Sequence, residues 1–178
     1  MFDMLISNEG LSSEPNLKLE NPLHIAAFFN NKEFISKYLE LENFEKIQKT
    51  GVPSIQALNK NNFTPIQVSI ACENHECFEF LAKDTNAKLN VKSATGNSAY
   101  HICAEFGNSL ALKHLLEHYY SKNPNYLVTK NRGENTVMHL AASCGNLEII
   151  TLIYETLQNS STLDKFLYTK VCCCFFCN

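Results

Sequence analysis

The chain repeats itself four times. NPLHIAAFFNNKEFISKYL at 21–39, TPIQVSIACENHECFEFLA at 64–82, SAYHICAEFGNSLALKHLL at 98–116 and TVMHLAASCGNLEIITLIY at 136–154 align without gaps. Self-similarity at a period of tens of residues restricts a chain to architectures in which each unit covers the next. In every segment a short polar residue (Asn21, Thr64, Ser98, Thr136) precedes His24, Gln67, His101 or His139 by three places. Small or apolar pairs follow: Ala26-Ala27, Ser69-Ile70, Cys103-Ala104 and Ala141-Ala142. A turn signal comes next (Asn30, Glu73, Gly107, Gly145), followed each time by an asparagine: Asn31, Asn74, Asn108, Asn146. A second apolar ridge then recurs at helical spacing: Ile35/Tyr38/Leu39, Phe78/Leu81, Leu112/Leu115/Leu116 and Ile150/Ile153.

Each unit reads as two helices. The leading Thr or Ser caps the first helix, and Pro22 and Pro65 stand where a missing N–H is harmless. Ala, Ser and Cys in mid-helix let a neighbour approach closely. Gly107 and Gly145 supply the left-handed residue that ends a helix. The ridge gives the second helix an apolar stripe at i, i+3, i+4. One such hairpin cannot hide its apolar face; a stack of four can.

These segments resemble ankyrin repeats, whose T-P-L-H-x-A-A signature is approached by NPLHIAA, TPIQVSI, SAYHICA and TVMHLAA, over roughly residues 16–158. The resemblance implies an all-α solenoid of four stacked hairpins, bounded at about 21–56, 57–90, 91–128 and 129–158. A leader (1–20) would precede them, and a capping helix with a Cys-rich tail (159–178) would follow. The spacing departs from the usual period of about 33. His24 and Gln67 are 43 apart, Gln67 and His101 34, and His101 and His139 38. The extra residues, around 41–56 and 119–128, are expected as loops on the binding side. Repeat two departs most, with Gln67 for His and Ser69-Ile70 for Ala-Ala.

Composition excludes several other classes. At 178 residues the chain can bury a core, and 45% hydrophobic residues with a net charge of −3 are incompatible with disorder as the main state. No Lys/Arg block marks a nucleic-acid footprint. No apolar run approaches the ~18 residues of a membrane span. The opening MFDMLISNEG carries Asp where a secretion signal needs basic residues. Cys72, Cys77, Cys103 and Cys144 are scattered through helical segments, unlike the spaced cysteines of a secreted scaffold. The expectation is a cytoplasmic monomer with buried thiols.

Three motifs suggest chemistry. The recurring His24, His101 and His139 read as backbone hydrogen-bonding groups, since stacked helices lie 8–10 Å apart and cannot share ligation at ~2 Å. His114-Leu-Leu-Glu-His118 spells an inverted zinc-protease string, but Leu115 and Leu116 belong to the buried ridge, which turns the histidines toward solvent or the helix end. Cys72, His75 and Cys77 diverge across a helix–turn–helix and lack a fourth ligand. With neither a phosphate loop nor a nucleophile elbow, no enzyme activity and no cofactor or metal is expected.

By the resemblance, the chain is a scaffold for a protein partner. The residues before each turn (Phe28, Phe29, Ala71, Cys72, Glu105, Phe106, Ser143, Cys144) point into a concave face. Asn59, Lys60, Asn61, Thr95, Asn131 and Arg132 supply polar contacts at the loop tips. The tail VCCCFFCN admits S-acylation at Cys172, Cys173, Cys174 and Cys177, the one route to a membrane. Phe175 stands where a prenylation box needs Cys, and Ser161–Asp164 reads as a capping box opening a helix over 162–170. The alternatives are a membrane-tethered spacer or the binding fragment of a larger enzyme. Ankyrin-like chains of this composition also occur among effectors that intracellular bacteria inject, which would place this one in a host cytosol or at a membrane there.

Overall fold

The computed structural model of the protein describes residues 15–45, 54–83, 89–122 and 124–158. Among them every helix pairs with its successor. The pairs are α1 (Pro22–Phe28) with α2 (Lys32–Glu45), α3 (Pro65–Ala71) with α4 (His75–Ala82), α5 (Ala99–Phe106) with α6 (Ser109–Tyr119), and α7 (Val137–Ser143) with α8 (Leu147–Gln158). No strand occurs among the described residues. The inner helices α1, α3, α5 and α7 pack successively in one layer, and the outer helices α2, α4, α6 and α8 in a second. The core lies between the layers.

The same local chemistry starts each inner helix. The side chain three places into the helix turns back to accept the N–H of the capping residue. His24 Nδ1 accepts from Asn21 N at 3.2 Å, Gln67 Oε1 from Thr64 N at 2.9 Å, His101 Nδ1 from Ser98 N at 3.4 Å and His139 Nδ1 from Thr136 N at 3.2 Å. Each inner helix ends at a residue in the left-handed region: Asn30 (φ 54°), Glu73 (φ 56°), Gly107 (φ 78°) and Gly145 (φ 72°). Only glycine adopts that conformation freely, so Glu73 stores strain that Gly107 and Gly145 avoid. Leu23, Ile66, Ile70, Ile102, Leu112, Leu115, Ile149 and Ile153 fill the space between layers, all fully buried. Ala27, Ala104 and Ala141, equally buried, set the close spacing of the inner helices.

Four turns line one edge, one before each hairpin, at 16–20, 59–63, 93–97 and 131–135. In each, the first residue's N–H donates to the carbonyl four places on, and its side chain accepts two backbone N–H groups. Asn59 Oδ1 accepts from Asn61 and Phe63, Ser93 Oγ from Thr95 and Asn97, and Asn131 Oδ1 from Gly133 and Asn135. The turns are joined tip to tip by Lys60 N donating to Lys18 O, Ala94 N to Asn61 O, and Arg132 N to Thr95 O. Residues 16–20 therefore act as the first turn of the row and not as a leader apart from the stack.

Two expectations about the insertions change. Instead of forming an open loop, the second insertion coils into short 3-10 turns at Tyr120–Lys122 and Pro124–Leu127. Leu127 is fully buried, and Tyr126 stacks on Tyr100 at 5.4 Å, whose hydroxyl donates to Leu115 O at 3.2 Å. An apolar Leu and an aromatic ring gain more from the core than from solvent. In the first insertion, Ser54–Gln56 forms a 3-10 turn with Ile55 buried; residues 46–53 lie outside the described residues. The expected leader at 1–14 and the capping helix and tail at 159–178 also lie outside them.

Candidate functional site

Hydrogen bonds crossing between hairpins hold the inner-helix ends rigidly. Each asparagine after the left-handed residue reaches back to the preceding hairpin. Asn74 Nδ2 donates to Ala27 O (2.7 Å) and Phe28 O (2.8 Å), Asn108 Nδ2 to Ile70 O (2.9 Å), and Asn146 Nδ2 to Ala104 O (2.8 Å). These bonds satisfy carbonyls that a helix end leaves without intrahelical partners. At the opposite end the histidines reach forward. His24 Nε2 donates to Phe63 O at 2.8 Å and His101 Nε2 to Asn135 O at 3.2 Å, while Gln67 Nε2 donates to Val91 O at 2.7 Å. His24 and His101 are almost fully buried, and that burial lowers the pKa of both. The neutral ring fits: Nε2–H donates forward while Nδ1 accepts the capping N–H.

Between those two sets of bonds, the last residues of each inner helix face outward. Phe28 is 56% exposed, Phe29 72% and Phe106 43%. Phe28 and Phe29 meet edge to face at 5.0 Å. Glu105, Ser143 and Cys144 are exposed at the equivalent places of the third and fourth hairpins, and Cys72 is half-buried in the second. Because successive inner helices pack side by side, these positions recur at the same end of each inner helix. Glu105 is oriented by a relay from the turns: Asn131 Nδ2 donates to Asn97 Oδ1, and Asn97 Nδ2 to Glu105 Oε2, both at 2.7 Å.

The turn residues divide. Lys60, Asn61 and Thr95 are exposed. Arg132 is exposed too, but its Nη1 donates to Ala94 O at 2.7 Å and clips two neighbouring turns together. Gly96 makes the clip possible: at φ 81° it brings Arg132 N within 2.8 Å of where a Cβ would stand. Asn59 stands at the base of its turn. It is only 8% exposed and its carboxamide oxygen is occupied inside its own turn, because an Asx turn needs that acceptor. Asn131, half-buried, uses its side chain in the same way.

The remaining sequence motifs have structural roles. Cys77 is buried with its Sγ 3.9 Å from Ala26 O, and burial pushes its thiol up to about 11; burial also raises the thiols of Cys72 and Cys103. His114 and His118 stack at 4.3 Å with planes 14° apart, so their in-plane lone pairs run parallel and do not converge. His114 is half-buried, not solvent-facing, with the Phe78 ring edge-on at 5.2 Å. Among the described residues, no group of three or more His, Cys, Asp or Glu is arranged to hold a metal ion. None of their helices is long and apolar enough to cross a membrane. Cys172, Cys173, Cys174 and Cys177 lie outside the described residues.

A family model described as ankyrin repeats (3 copies) matches residues 1–93 and 85–164. The chain belongs to the ankyrin-repeat family. Ankyrin repeats are generally protein–protein interaction modules and the family is typically non-enzymatic. This ankyrin stack matches no curated protein. Two features of it escaped the sequence. The recurrent asparagine was visible as a turn signal, but its reach into the preceding hairpin was not. The Asn131–Asn97–Glu105 relay joins residues far apart in the chain and leaves no periodic trace.

Proposed function

We propose that this ankyrin stack is a non-enzymatic scaffold that grips a protein partner along the inner-helix strip and the exposed turn tips. The observation that carries the reading is the exposure of Phe28, Phe29 and Phe106 on a strip whose flanking backbone is fixed by inter-hairpin hydrogen bonds. Exposed aromatic rings on rigid supports lose little entropy on binding and make good anchors. Lys60, Asn61, Thr95 and Arg132 add polar contacts along one edge. Glu105, Ser143 and Cys144 extend the strip over the third and fourth hairpins, with Cys72 at its half-buried centre.

Affinity purification from the native cell, with wild type beside Phe106→Asp and Phe28→Asp, tests this reading. Both rings are exposed, so the variants keep the wild-type melting temperature within about 2 °C while losing the partner. A partner retained at wild-type level by both variants overturns the assignment of the strip.

A further inference from the structure

One carboxylate at the inner-helix ends is held in a fixed pose with an oxygen to spare. The carboxamide of Asn131 is oriented by its own turn, where Oδ1 accepts from the Gly133 and Asn135 N–H groups. Its Nδ2 then points away from the turn and reaches Asn97 Oδ1 at 2.7 Å. Asn97 is buried and oriented by that bond, and its Nδ2 donates to Glu105 Oε2 at 2.7 Å. Every donor in this relay points toward Glu105, which ends it as an acceptor. Glu105 is exposed, and its Oε1 receives no donor from the described residues.

The surroundings leave that oxygen accessible and its charge uncompensated. α5 packs between α3 and α7. At the register of Glu105 those neighbours carry Ala71 and Ser143, both small. Phe106, the next residue, is 43% exposed. Among the paired end positions of the four hairpins (28–29, 71–72, 105–106 and 143–144), Glu105 is the one charged residue. The cations around Asn131 are engaged elsewhere, Arg132 on Ala94 O and Lys130 on Glu134 Oε2 at 2.8 Å.

We infer that Glu105 receives a Lys or Arg side chain of the protein partner, with Oε1 accepting its N–H and Phe106 lying against its aliphatic stem. The inference rests on the reading of the inner-helix ends as a docking surface, and it adds the charge that the partner must bring. One free oxygen takes one charge-assisted bond, which an ammonium and a guanidinium both supply. The small flanks at Ala71 and Ser143 leave room for a long side chain, and its apolar stem gains from an exposed ring. Orientation by the relay removes most of the ordering cost that a freely rotating glutamate brings to such a contact.

The test pans random peptides displayed on phage against the full chain, then measures Kd for the selected peptides in synthetic form. Glu105→Gln keeps the relay, because the amide oxygen accepts from Asn97 Nδ2 as the carboxylate does, and removes only the charge. Selected peptides carry a Lys or Arg whose change to Met raises Kd on wild type about tenfold. Glu105→Gln binds the parent peptide about tenfold more weakly and is nearly indifferent to the Met change, and the loss shrinks at high salt. A selection in which no peptide loses affinity on Glu105→Gln overturns the inference. So does a loss on Glu105→Gln that is the same for the parent and Met peptides, since the carboxylate then acts without the cation. If Phe106→Asp still releases those peptides, the docking surface stands and the cation contact alone falls; if it releases none, the docking surface falls too.

Discussion

Replacing Thr64 by valine is close to neutral for this protein, whereas the same change at Thr136 destabilises it. Both residues cap inner helices at the same register, yet their hydroxyls meet different neighbours. Thr136 Oγ1 lies 2.8 Å from His139 Nδ1, which takes the hydroxyl proton. In the second hairpin Gln67 stands in place of histidine. Its Oε1 accepts the Thr64 N–H and its Nε2 donates to Val91 O, so neither end serves the hydroxyl. Thr64 Oγ1 is buried with no hydrogen-bond partner. A buried polar group without a partner costs about 1–3 kcal/mol, and valine keeps the shape without the oxygen. Thr64→Val removes that cost but also the hydroxyl's part in the capping box, so the two offset and stability changes by less than about 1 kcal/mol, under roughly 2–4 °C in melting temperature for a chain of this size. Thr136→Val loses a made bond and part of a cap, about 1 kcal/mol of stability. Urea unfolding followed by circular dichroism measures both. Equal losses in the two variants would refute the reasoning, since they would mean the two hydroxyls do the same job.

Three further outcomes follow from the repeat positions. Glu73→Gly relieves a non-glycine residue held at φ 56° and raises stability by about 1 kcal/mol in the same urea experiment. Asn21→Thr stabilises by up to about 1 kcal/mol, read as a thermal midpoint. Asn21 Oδ1 already accepts the His24 N–H and sits 2.7 Å from His24 Nδ1, where a hydroxyl would donate instead of opposing acceptor to acceptor. Acidification weakens the fold: with the folded-state pKa of His24 and His101 lowered below 6.5, the unfolded chain binds more protons as pH falls through 6.5. Stability is thus full above pH 6.5 and declines below it. His101→Gln, which copies the residue found in repeat two, flattens that decline in urea midpoints measured from pH 7.5 to 5.

Features set by local sequence were readable before the structure. The caps at Asn21, Thr64, Ser98 and Thr136, the left-handed residues and the outer-helix ridges each depend on residues within one turn of helix. The four-fold echo then supplied the long-range answer, because identical units have identical neighbours. Reading failed where a residue answers to something non-periodic. Asn59 looked like a polar tip residue, but tip and turn base share one composition, and only the Asx geometry separates them. Residues 120–127 looked like a loop because Asn and Pro break helices, while Leu127 and Tyr126 had Tyr100 waiting in the core. The strip positions were legible as surface, since no ridge or cap claims them; which rings stand exposed, and how firmly, required the coordinates.

The division of labour along each inner helix explains why recognition and stability are separable here. Its beginning is committed to the cap and the forward hydrogen bond of His24, Gln67 or His101. Its middle is committed to small residues such as Ala27 and Ala104, which permit close packing. The carbonyls near its end accept from the side-chain Nδ2 of the next hairpin's asparagine. Because those bonds engage main-chain oxygens, the side chains of Phe28, Phe29 and Phe106 are left out of them. A repeat stack adds its unit stabilities nearly independently, so a side chain at such a position is felt mainly within its own repeat. Three phenylalanines remain there against their tendency toward burial. Stacking therefore does not select them, and contact with another molecule is the physical setting in which exposed rings on a fixed backbone lower the free energy.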